Sequence, residues 1–190
     1  MKRSKQETAE TRKRILETAA SEFRRNGIDG TGLVDLMAAA GLTHGGFYRH
    51  FDSKDQLVTE SCAAAVDSVV ESLTTAVSKK GKRSGLEAVA ASYLAKEHRD
   101  NSSSGCPFAA LGSELARSDD TTRAAATEGF LKLVDVIAAQ FTRARPDVAK
   151  GRALVALSTM IGAVTMSRLV TDPELSSAIL RQTEKHLTQS

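Results

Sequence analysis

The sequence predicts an all-helical fold of about nine helices. Alanine and leucine dominate its apolar residues, and the 190-residue chain holds only 3 prolines, 2 tyrosines, 6 phenylalanines and no tryptophan. Alternating runs of β-branched and aromatic residues, the usual signal of a strand, are absent. High helix propensity together with apolar spacings of three and four residues therefore favours helices throughout the chain.

The first helix is predicted from about Thr8 to Asn26, because apolar residues recur on one face at helical spacing: Ile15, Leu16, Ala19, Ala20 and Phe23. Gly27 follows as a candidate left-handed cap. A second helix is predicted to begin at Thr31 or Gly32 and to turn four residues inward: Leu33, Leu36, Met37 and Ala40. Gly41 is predicted to form the tight turn after it.

A third, short helix is predicted after that turn, with Thr43 as its N-cap. Phe47 and Phe51 lie four residues apart and are expected to pack inward together. The sequence Ser53-Lys54-Asp55-Gln56 is typical of a capping box. It predicts a fourth helix that continues to about Ser78.

Two loops and five further helices are predicted in the rest of the chain. Residues 79–85 are basic, contain glycine and lack apolar side chains, and residues 101–105 are rich in serine, so both segments are predicted loops. Pro107 at a first helical position and Asp172 before Pro173 are helix-start signals. The helices are expected at about 86–99, from 107 onward, and at about 121–143, 146–170 and 173–186.

The first three helices have the pattern of a helix-turn-helix module. The recognition helix of such a module, here the third predicted helix, enters the major groove of DNA. It therefore needs polar side chains on one side and apolar side chains on the other. The polar tips are Thr43, His44, Gly45, Tyr48, Arg49 and His50, and the apolar side is Leu42, Phe47 and Phe51. Gly45 and Gly46 each cost a helix about 1 kcal/mol relative to alanine. Close approach of the backbone to DNA would explain that cost.

Residues 8 to 60 resemble the DNA-binding domain of TetR/AcrR-family transcriptional regulators. The segments that carry the resemblance are Ile15-Leu16 with Ala19, Phe23 to Gly27, Val34-Asp35-Leu36, Ala40-Gly41-Leu42, Thr43 to Phe51 and Asp52 to Leu57. The resemblance implies a helix-turn-helix DNA-binding domain at residues 1–53, with a basic arm at 1–7. Residues 54–190 would then form a helical ligand-binding and dimerisation domain.

The resemblance also implies roles by position for residues of the module. Thr43, Tyr48, His50 and Lys54 match positions that contact phosphates, Lys54 from the start of the fourth helix. His44, Gly45 and Arg49 match positions that meet base edges, and Arg49 could recognise a guanine by a bidentate contact. Gly32 departs from the Ser or Thr common at the start of the second helix, and Thr31 is the candidate to replace that phosphate contact.

For the remaining residues the resemblance implies a homodimer, formed through the last two long helices, and a small-molecule effector. Five small residues are expected to permit close helix approach in the dimer: Ala153, Ala156, Gly162, Ala163 and Ser167. The candidate effector pocket is lined by Tyr93, Phe108, Leu111, Leu115, Phe130, Val134, Met160 and Val164. A repressor released by an inducer is the leading interpretation. An activator, and a DNA-binding protein without a ligand, stay open.

Charge and composition bear on partners and location. The net charge of +3 does not by itself indicate a nucleic-acid partner, but the first fourteen residues carry six Lys or Arg against two Glu, as expected of a phosphate-binding arm. The N-terminus has no apolar segment typical of a signal peptide. Residues 153–170 are apolar but contain Arg168 and many small polar residues, which favours a buried helix over a membrane span. These features predict a cytoplasmic protein without a membrane partner.

Cys106 carries the alternative hypotheses. It precedes Pro107 at a predicted helix start, where the helix dipole can lower the pKa of a thiol, so it is a possible sensor of oxidants or electrophiles; a small buried residue is the simpler interpretation. A thiol enzyme using Cys106 with His98 is a second alternative. No histidine pair has metal-site spacing, so we expect no metal, no cofactor and no enzymatic activity. Cys62 is interpreted as inert core.

Overall fold

A computed structural model describes residues 5–189, and these residues confirm the predicted all-helical class with no strand among them. They form nine α-helices and two short 3-10 helices. The α-helices are α1 (Lys5–Asn26), α2 (Leu33–Ala39), α3 (Lys54–Ser78), α4 (Gly85–Tyr93), α5 (Lys96–Asp100), α6 (Pro107–Leu115), α7 (Asp120–Ala138), α8 (Pro146–Leu169) and α9 (Pro173–Gln189). The 3-10 helices are His44–Arg49, called the recognition segment below, and Ser102–Ser104.

Helix α1 buries the predicted apolar face, on which Ile15, Ala19 and Phe23 are inaccessible to solvent. Gly27 ends the helix with a positive φ of 82° and donates its N–H to the Phe23 carbonyl at 2.8 Å, as a left-handed cap does. The predicted basic arm at 1–7 is too long, because residues 5–7 already belong to the first turn of α1. Residues 1–4 lie outside the described residues.

The turn between α2 and the recognition segment is as predicted, but the segment itself is not an α-helix. Gly41 has a φ of 69°, and Leu42 N–H donates to the Met37 carbonyl at 2.8 Å. The six residues His44–Arg49 form a 3-10 helix because two consecutive glycines lower helix propensity in a very short segment. Thr43 occupies the N-cap position, yet its side chain makes no capping bond, and its carbonyl accepts the Gly46 N–H.

Two predicted helices are shorter in the structure. The helix expected at 86–99 is divided into α4 and α5, because Ala95 is extended and the Tyr93 carbonyl bonds the His98 ring. The helix expected at 121–143 ends at Ala138, and the Gln140 side chain then donates to the Val136 carbonyl at 2.8 Å. Side-chain bonds to the last carbonyls therefore replace the continued helix in both places.

The core has two clusters, and α3 contributes to both. The first contains residues of α1, α2 and the recognition segment, together with Leu57, Val58 and Cys62 of α3 and Leu111 and Leu115 of α6. The second lies between the later part of α3 and helices α4 and α6 to α9. Because α3 and α6 contribute side chains to the first cluster, they join α1, α2 and the recognition segment to the remaining helices.

Helix α8 is long and apolar enough to cross a membrane by length and composition alone, with a mean hydropathy of 1.2 over its most apolar 18 residues. It packs inside the second cluster through Ala153, Leu157, Met160 and Val164. Near its end, Arg168 donates hydrogen bonds to backbone carbonyls of α5. These contacts are those of a core helix.

Candidate nucleic-acid interface

The recognition segment presents polar side chains on a buried aromatic base. Phe47 and Phe51 are almost fully buried and stack with ring centroids 5.7 Å apart. Thr43, His44, Gly45, Tyr48 and Arg49 are exposed on the other side. Burying two phenylalanines stabilises the segment by several kcal/mol (about 2–3 each). This explains how so short an element keeps a fixed orientation.

Tyr48 has its ring against the protein and is 63% exposed. The ring lies edge-on to Phe47, with centroids 5.1 Å apart, and the His44 ring lies edge-on to Tyr48 at 6.1 Å. A β-carbon added at Gly45 would meet no atom within 4 Å. Gly45 is therefore not required by internal packing, and the backbone there is open to an approaching molecule.

Arg12 of α1 holds the end of the recognition segment, a role that the sequence did not reveal. Its guanidinium donates to the His50 carbonyl at 3.3 Å, lies 2.6 Å from the Glu60 carboxylate and stacks 4.5 Å from the Phe51 ring centroid. The ion pair is about one-third exposed on both sides, so solvent screening limits it to about 1 kcal/mol or less. Arg12 thus links three elements of the module.

Two of the predicted DNA-contacting residues are engaged inside the protein. Thr31 is buried, and its hydroxyl donates to the Gly27 carbonyl at 2.7 Å, so the expectation that it replaces the missing phosphate contact at Gly32 is wrong. Lys54 Nζ donates to the Ile28 carbonyl at 2.6 Å and lies 6.0 Å from the Phe23 ring centroid. An ammonium has three donors, so this bond occupies one of the three N–H groups of Lys54.

The predicted capping box is present in a shifted form. Ser53 accepts the Gln56 N–H at 3.0 Å, which is the expected side-chain cap of α3. The Gln56 side chain accepts the N–H of Asp52 at 2.6 Å rather than that of Ser53. The backbone between the recognition segment and α3 is fixed by both bonds.

Glu114 connects α6 to the turn between α1 and α2. Its carboxylate accepts the N–H of Ile28 at 2.7 Å and that of Asp29 at 3.3 Å, both in the turn between α1 and α2. A carboxylate on two backbone N–H groups is a charge-assisted arrangement. No local sequence pattern indicates this contact, because 86 residues separate Glu114 from Ile28.

The eight residues predicted to line an effector pocket do not surround one cavity. Leu111 and Leu115 pack in the first core cluster. Val134, Met160 and Val164 are fully buried in the second cluster, and Phe108 packs edge-on against Phe130 with centroids 5.9 Å apart. Of the eight, Tyr93 alone lines a cavity between α3, α4 and the segment from Ala95 to Gly105. The apolar residues were chosen for their chemistry, but that chemistry places them in the core.

That cavity, called the polar cavity below, lies between α3, α4 and the segment from Ala95 to Gly105, and has a volume of about 460 Å³. Seven of its twelve lining residues are polar, namely Ser68, Ser72, Ser92, Glu97, His98, Asn101 and Ser104, and the others include Val69, Leu73 and Tyr93. The sequence prediction missed it because serines dispersed over two helices and a loop have no periodic signal.

His98 fixes the wall of the polar cavity by using both ring nitrogens. Nε2 accepts the Cys106 N–H at 2.8 Å, so Nδ1 must carry the proton that it donates to the Tyr93 carbonyl at 2.5 Å. Burial lowers the pKa of His98, which keeps the ring neutral. A β-carbon at Gly105 would meet the His98 ring at 2.7 Å, so this close contact requires glycine.

Cys106 is fully buried, and burial raises the pKa of its thiol. The direction of the pKa shift is opposite to the predicted one, because desolvation outweighs the stabilisation of the thiolate by the Tyr93 hydroxyl and by backbone N–H groups of α6. His98 bonds the Cys106 backbone rather than its sulfur, so the arrangement proposed for a thiol enzyme is absent. Burial also raises the pKa of Cys62, to about 11.

Two half-buried arginines hold the segment from His98 to Ser103 by its carbonyl groups. Arg24 of α1 donates through Nε to the Ser103 carbonyl at 2.8 Å, and its Nη2 donates to the same oxygen. Arg168 of α8 donates to the carbonyls of Arg99 at 2.9 Å and His98 at 2.7 Å. Burial lowers the pKa of both guanidinium groups, and among residues 5–189 neither has a carboxylate within salt-bridge distance.

The small residues expected at a dimer interface mostly face the chain's own core. Ala153, Ala156, Ala163 and Ser167 are buried, and Gly162 alone of the five is exposed. The exposed face of α8 and α9 instead carries larger apolar side chains: Val155, Met166, Leu169 and Leu175. Small residues on α8 therefore permit close packing within one chain.

No group of three or more His, Cys, Asp or Glu among the described residues is arranged to hold a metal ion. The buried polar groups near Tyr93 are its hydroxyl, the Cys106 thiol and Arg168 Nη1. The hydroxyl and the thiol form a side-chain hydrogen bond, and Arg168 Nη1 has no hydrogen-bond partner within the described chain.

Comparison with known proteins gives consistent results over both parts of the chain. A family model described as "Bacterial regulatory proteins, tetR family" matches residues 15–60. A second, described as "Transcriptional regulator LmrA/YxaF-like, C-terminal domain", matches residues 85–186. The second match alone covers more than half of the chain.

Individual relatives agree with these matches. The chain is 42% identical over 59 residues to the probable acrEF/envCD operon repressor of Escherichia coli K12, a match that covers 31% of this chain and only 27% of that repressor. It is 28% identical over 169 residues to an uncharacterized HTH-type transcriptional regulator of Mycobacterium tuberculosis H37Rv, covering 85% and 86% of the two chains. The crystal structure of a TetR transcriptional regulator from Chloroflexus aurantiacus superposes with a TM-score of 0.79 at 27% identity, covering 97% and 95%. The chain belongs to the TetR family of bacterial transcriptional regulators.

Proposed function

We propose that this regulator is a cytoplasmic, homodimeric repressor that binds operator DNA through the recognition segment and is released by a small molecule. The observation that carries the proposal is the row of exposed polar side chains from Thr43 to Arg49 above the buried pair Phe47 and Phe51. The proposed repressor needs no metal or cofactor and is not an enzyme.

In this proposal the exposed residues divide into two groups. Thr43, Tyr48, His50 and Lys54 contact phosphates, which sets position and affinity. His44, Gly45 and Arg49 meet base edges, which sets sequence preference. The open space around Gly45 and the exposed guanidinium of Arg49 support this division. Thr31 is withdrawn from the set because it is buried.

The proposed dimer forms through α8 and α9. The support is the exposed apolar face that these helices leave uncovered, which includes Val155, Met166, Leu169 and Leu175. Two such helix pairs pack as a four-helix bundle about a two-fold axis. The dimer then presents two recognition segments to successive major grooves, and the operator is expected to be a palindrome.

The proposed effector site is the polar cavity rather than the apolar set chosen from the sequence. It is large enough for a small molecule, and its wall from Ala95 to Gly105 adjoins the Ser103 carbonyl that Arg24 of the DNA-binding helices contacts. The alternative of a sensor at Cys106 is not proposed, because burial and the raised thiol pKa oppose the reactivity on which it depended.

Selection of duplexes from a random pool tests the proposed function directly. The purified protein should enrich a palindromic site, and its affinity for that site should fall steeply with salt concentration. A pool that gives no enriched sequence at modest ionic strength, or an enriched site bound by one protomer without two-fold symmetry, would contradict the proposal.

A further inference from the structure

Four serine hydroxyls around the polar cavity have no partner among the described residues. Ser68 and Ser72 of α3, Ser92 of α4 and Ser104 line the cavity, and none of their hydroxyl groups makes a hydrogen bond within that part of the chain. Thr74, two residues beyond Ser72 on α3, shows the usual alternative, since its hydroxyl donates to the Val70 carbonyl of its own helix at 2.8 Å. Ser68, Ser72 and Ser104 are exposed and Ser92 is half-buried, so their hydroxyl groups face solvent and are accessible to an occupant of the cavity.

The charge of the cavity lining is also informative. Glu97 contributes a carboxylate that has no basic partner within residues 5–189, and Asn101 contributes an amide. Among the residues described, no lysine or arginine lines the cavity. His98 is held neutral, with both ring nitrogens bonded to backbone groups. Glu97 is exposed, so an anionic occupant would lie beside a solvated carboxylate with no cation among the lining residues, and like-charge repulsion would disfavour it.

We infer that the polar cavity takes a small molecule of neutral or positive charge that is rich in hydroxyl or amino groups. This inference rests on the proposed function, since it names the class of effector for the proposed site. Hydroxyl and amide groups on the wall can both donate and accept, so they match polyhydroxylated and amino-substituted molecules. The Glu97 carboxylate favours a cation over an anion of the same size.

Three thiol reagents of matched size test the inference without knowledge of the effector. Ser72→Cys places a thiol on the cavity wall, and Thr74→Cys is the control on the same helix outside the cavity. Both are treated with methanethiosulfonates that carry a trimethylammonium, a hydroxyl or a sulfonate group. The unsubstituted protein should react little because Cys62 and Cys106 are buried.

The ratio of cationic to anionic reaction rates should be several-fold higher at position 72 than at position 74, and the neutral reagent should also react faster than the anionic one at position 72. An equal or smaller ratio at position 72 would overturn the inference, and so would an introduced thiol at position 72 that no reagent reaches. Selection of an operator by the unlabelled protein is a separate measurement, so failure of the proposed function is distinguishable from failure of this inference.

A second inference comes from the contacts between the cavity wall and α1. Asn101, Ser104 and Gly105 line the cavity, and Ser103 lies within the same segment with its hydroxyl bonded to the Asn101 side chain at 2.8 Å. The Ser103 carbonyl accepts from the guanidinium of Arg24. Arg24 is on α1, the helix whose Arg12 holds the end of the recognition segment. The cavity wall and α1 are thus joined directly by the hydrogen bonds from Arg24 to the Ser103 carbonyl.

The chemistry of this contact suits a switch. Arg24 is a desolvated cation whose acceptor is a carbonyl group and not a carboxylate, so no strong ion pair opposes its separation. If an occupant of the cavity moved the segment that contains Ser103, the Arg24 guanidinium would lose the Ser103 carbonyl as its acceptor and would need a different one. The structure assigns to the Arg24–Ser103 contact the role of transmitting cavity occupancy to α1, and this assignment also rests on the proposed function.

The test uses the trimethylammonium adduct of Ser72→Cys as a fixed occupant and the operator selected from random duplexes. Labelling should weaken operator binding about tenfold, within the range typical of allosteric coupling. In Arg24→Ala and Arg24→Lys backgrounds the change on labelling should fall below about twofold, because the contact is already lost. Arg25→Ala is the control, since Arg25 is exposed and forms its ion pair with Glu22 of the same helix.

Labelling that weakens binding equally in the Arg24 variants would overturn the assignment, as would labelling that has no effect with Arg24 present. Arg24→Lys keeps the charge while losing the paired N–H groups, so it serves if Arg24→Ala does not fold. A protein that binds no duplex before labelling contradicts the proposed function instead.

Discussion

The recognition segment and the segment from Ala95 to Gly105 are both short, irregular and rich in histidine, serine or glycine, but they are held in different ways. His44 is exposed beside Tyr48, whereas His98 is bonded on both nitrogens to backbone groups. The first segment lies on two buried phenylalanines, and the second is held through its carbonyls by half-buried arginines. The contacts beneath a polar segment, and not its composition, decide whether its histidine is available to a partner or fixes the backbone.

The largest effect is expected from removing the aromatic base of the exposed segment. Phe47→Ala should lower the free energy of unfolding by about 3–5 kcal/mol, since the ring is completely buried. Urea denaturation measures the loss. Tyr48→Ala is the neighbouring control and should cost less than about 0.5 kcal/mol of stability. Similar losses of stability in the two variants would mean that the buried Phe47 and the exposed Tyr48 contribute equally to the stability of the segment, against this expectation.

The segment from Ala95 to Gly105 should depend in a similar way on Arg168. Arg168→Met leaves the carbonyls of His98 and Arg99 without their charged donor, and we expect a loss of about 2–4 kcal/mol in the free energy of unfolding. Arg181→Met, on the exposed side of α9, is the control and should change stability little. An Arg168 variant as stable as this control would show that the segment is held by other contacts.

For the exposed segment, function rather than stability should respond to its polar tips. Tyr48→Ala should weaken binding to all duplexes alike, whereas Arg49→Ala should also relax the preference at one base pair, by about 1–3 kcal/mol. Affinities for a set of single-base operator variants separate the two outcomes. If Arg49→Ala lowers affinity by the same factor for every variant, the assignment of Arg49 to base recognition fails.

The stability of the protein should depend on pH through His98. Because burial lowers the pKa of His98, the unfolded chain binds a proton on this residue at a higher pH than the folded chain does. The stabilising contribution is complete above the unfolded pKa near 6.5 and is lost as pH falls toward the lower folded pKa, by at most about 1.4 kcal/mol per pH unit.

Urea midpoints between pH 7.5 and 5 measure this slope. His98→Gln should flatten it. A slope in His98→Gln equal to that of the unsubstituted protein would show that another group is responsible.

The smallest effect is expected at the buried thiols. Since burial raises the pKa of Cys106 and of Cys62, neither should react appreciably with a disulfide reagent in the native state, while both should react in urea. Operator affinity should be the same for the unsubstituted protein and Cys106→Ser, with or without peroxide. A loss of affinity under peroxide that disappears in Cys106→Ser would instead support a sensor at this position.

The sequence predicted what local patterns determine. The caps at Gly27 and Ser53, the turn at Gly41 and the inward pair Phe47 and Phe51 were all recognisable from spacing within a few residues. It did not predict the contacts of Arg12, Arg24 or Glu114, whose partners lie 38 to 86 residues away. The polar cavity was missed for the same reason, since its wall is assembled from separate helices.

The bond of Glu114 to the turn after α1 has a consequence for engineered regulators. Hybrid proteins that join the operator-binding helices of one family member to the effector domain of another must keep an acceptor for the N–H groups of Ile28 and Asp29. Without such an acceptor, the N–H groups of Ile28 and Asp29 would lose their partner at the junction of the two domains, and this contact would no longer fix the angle between them. A graft that exchanges α6 together with that turn should transfer DNA preference between scaffolds more faithfully than one that cuts between them.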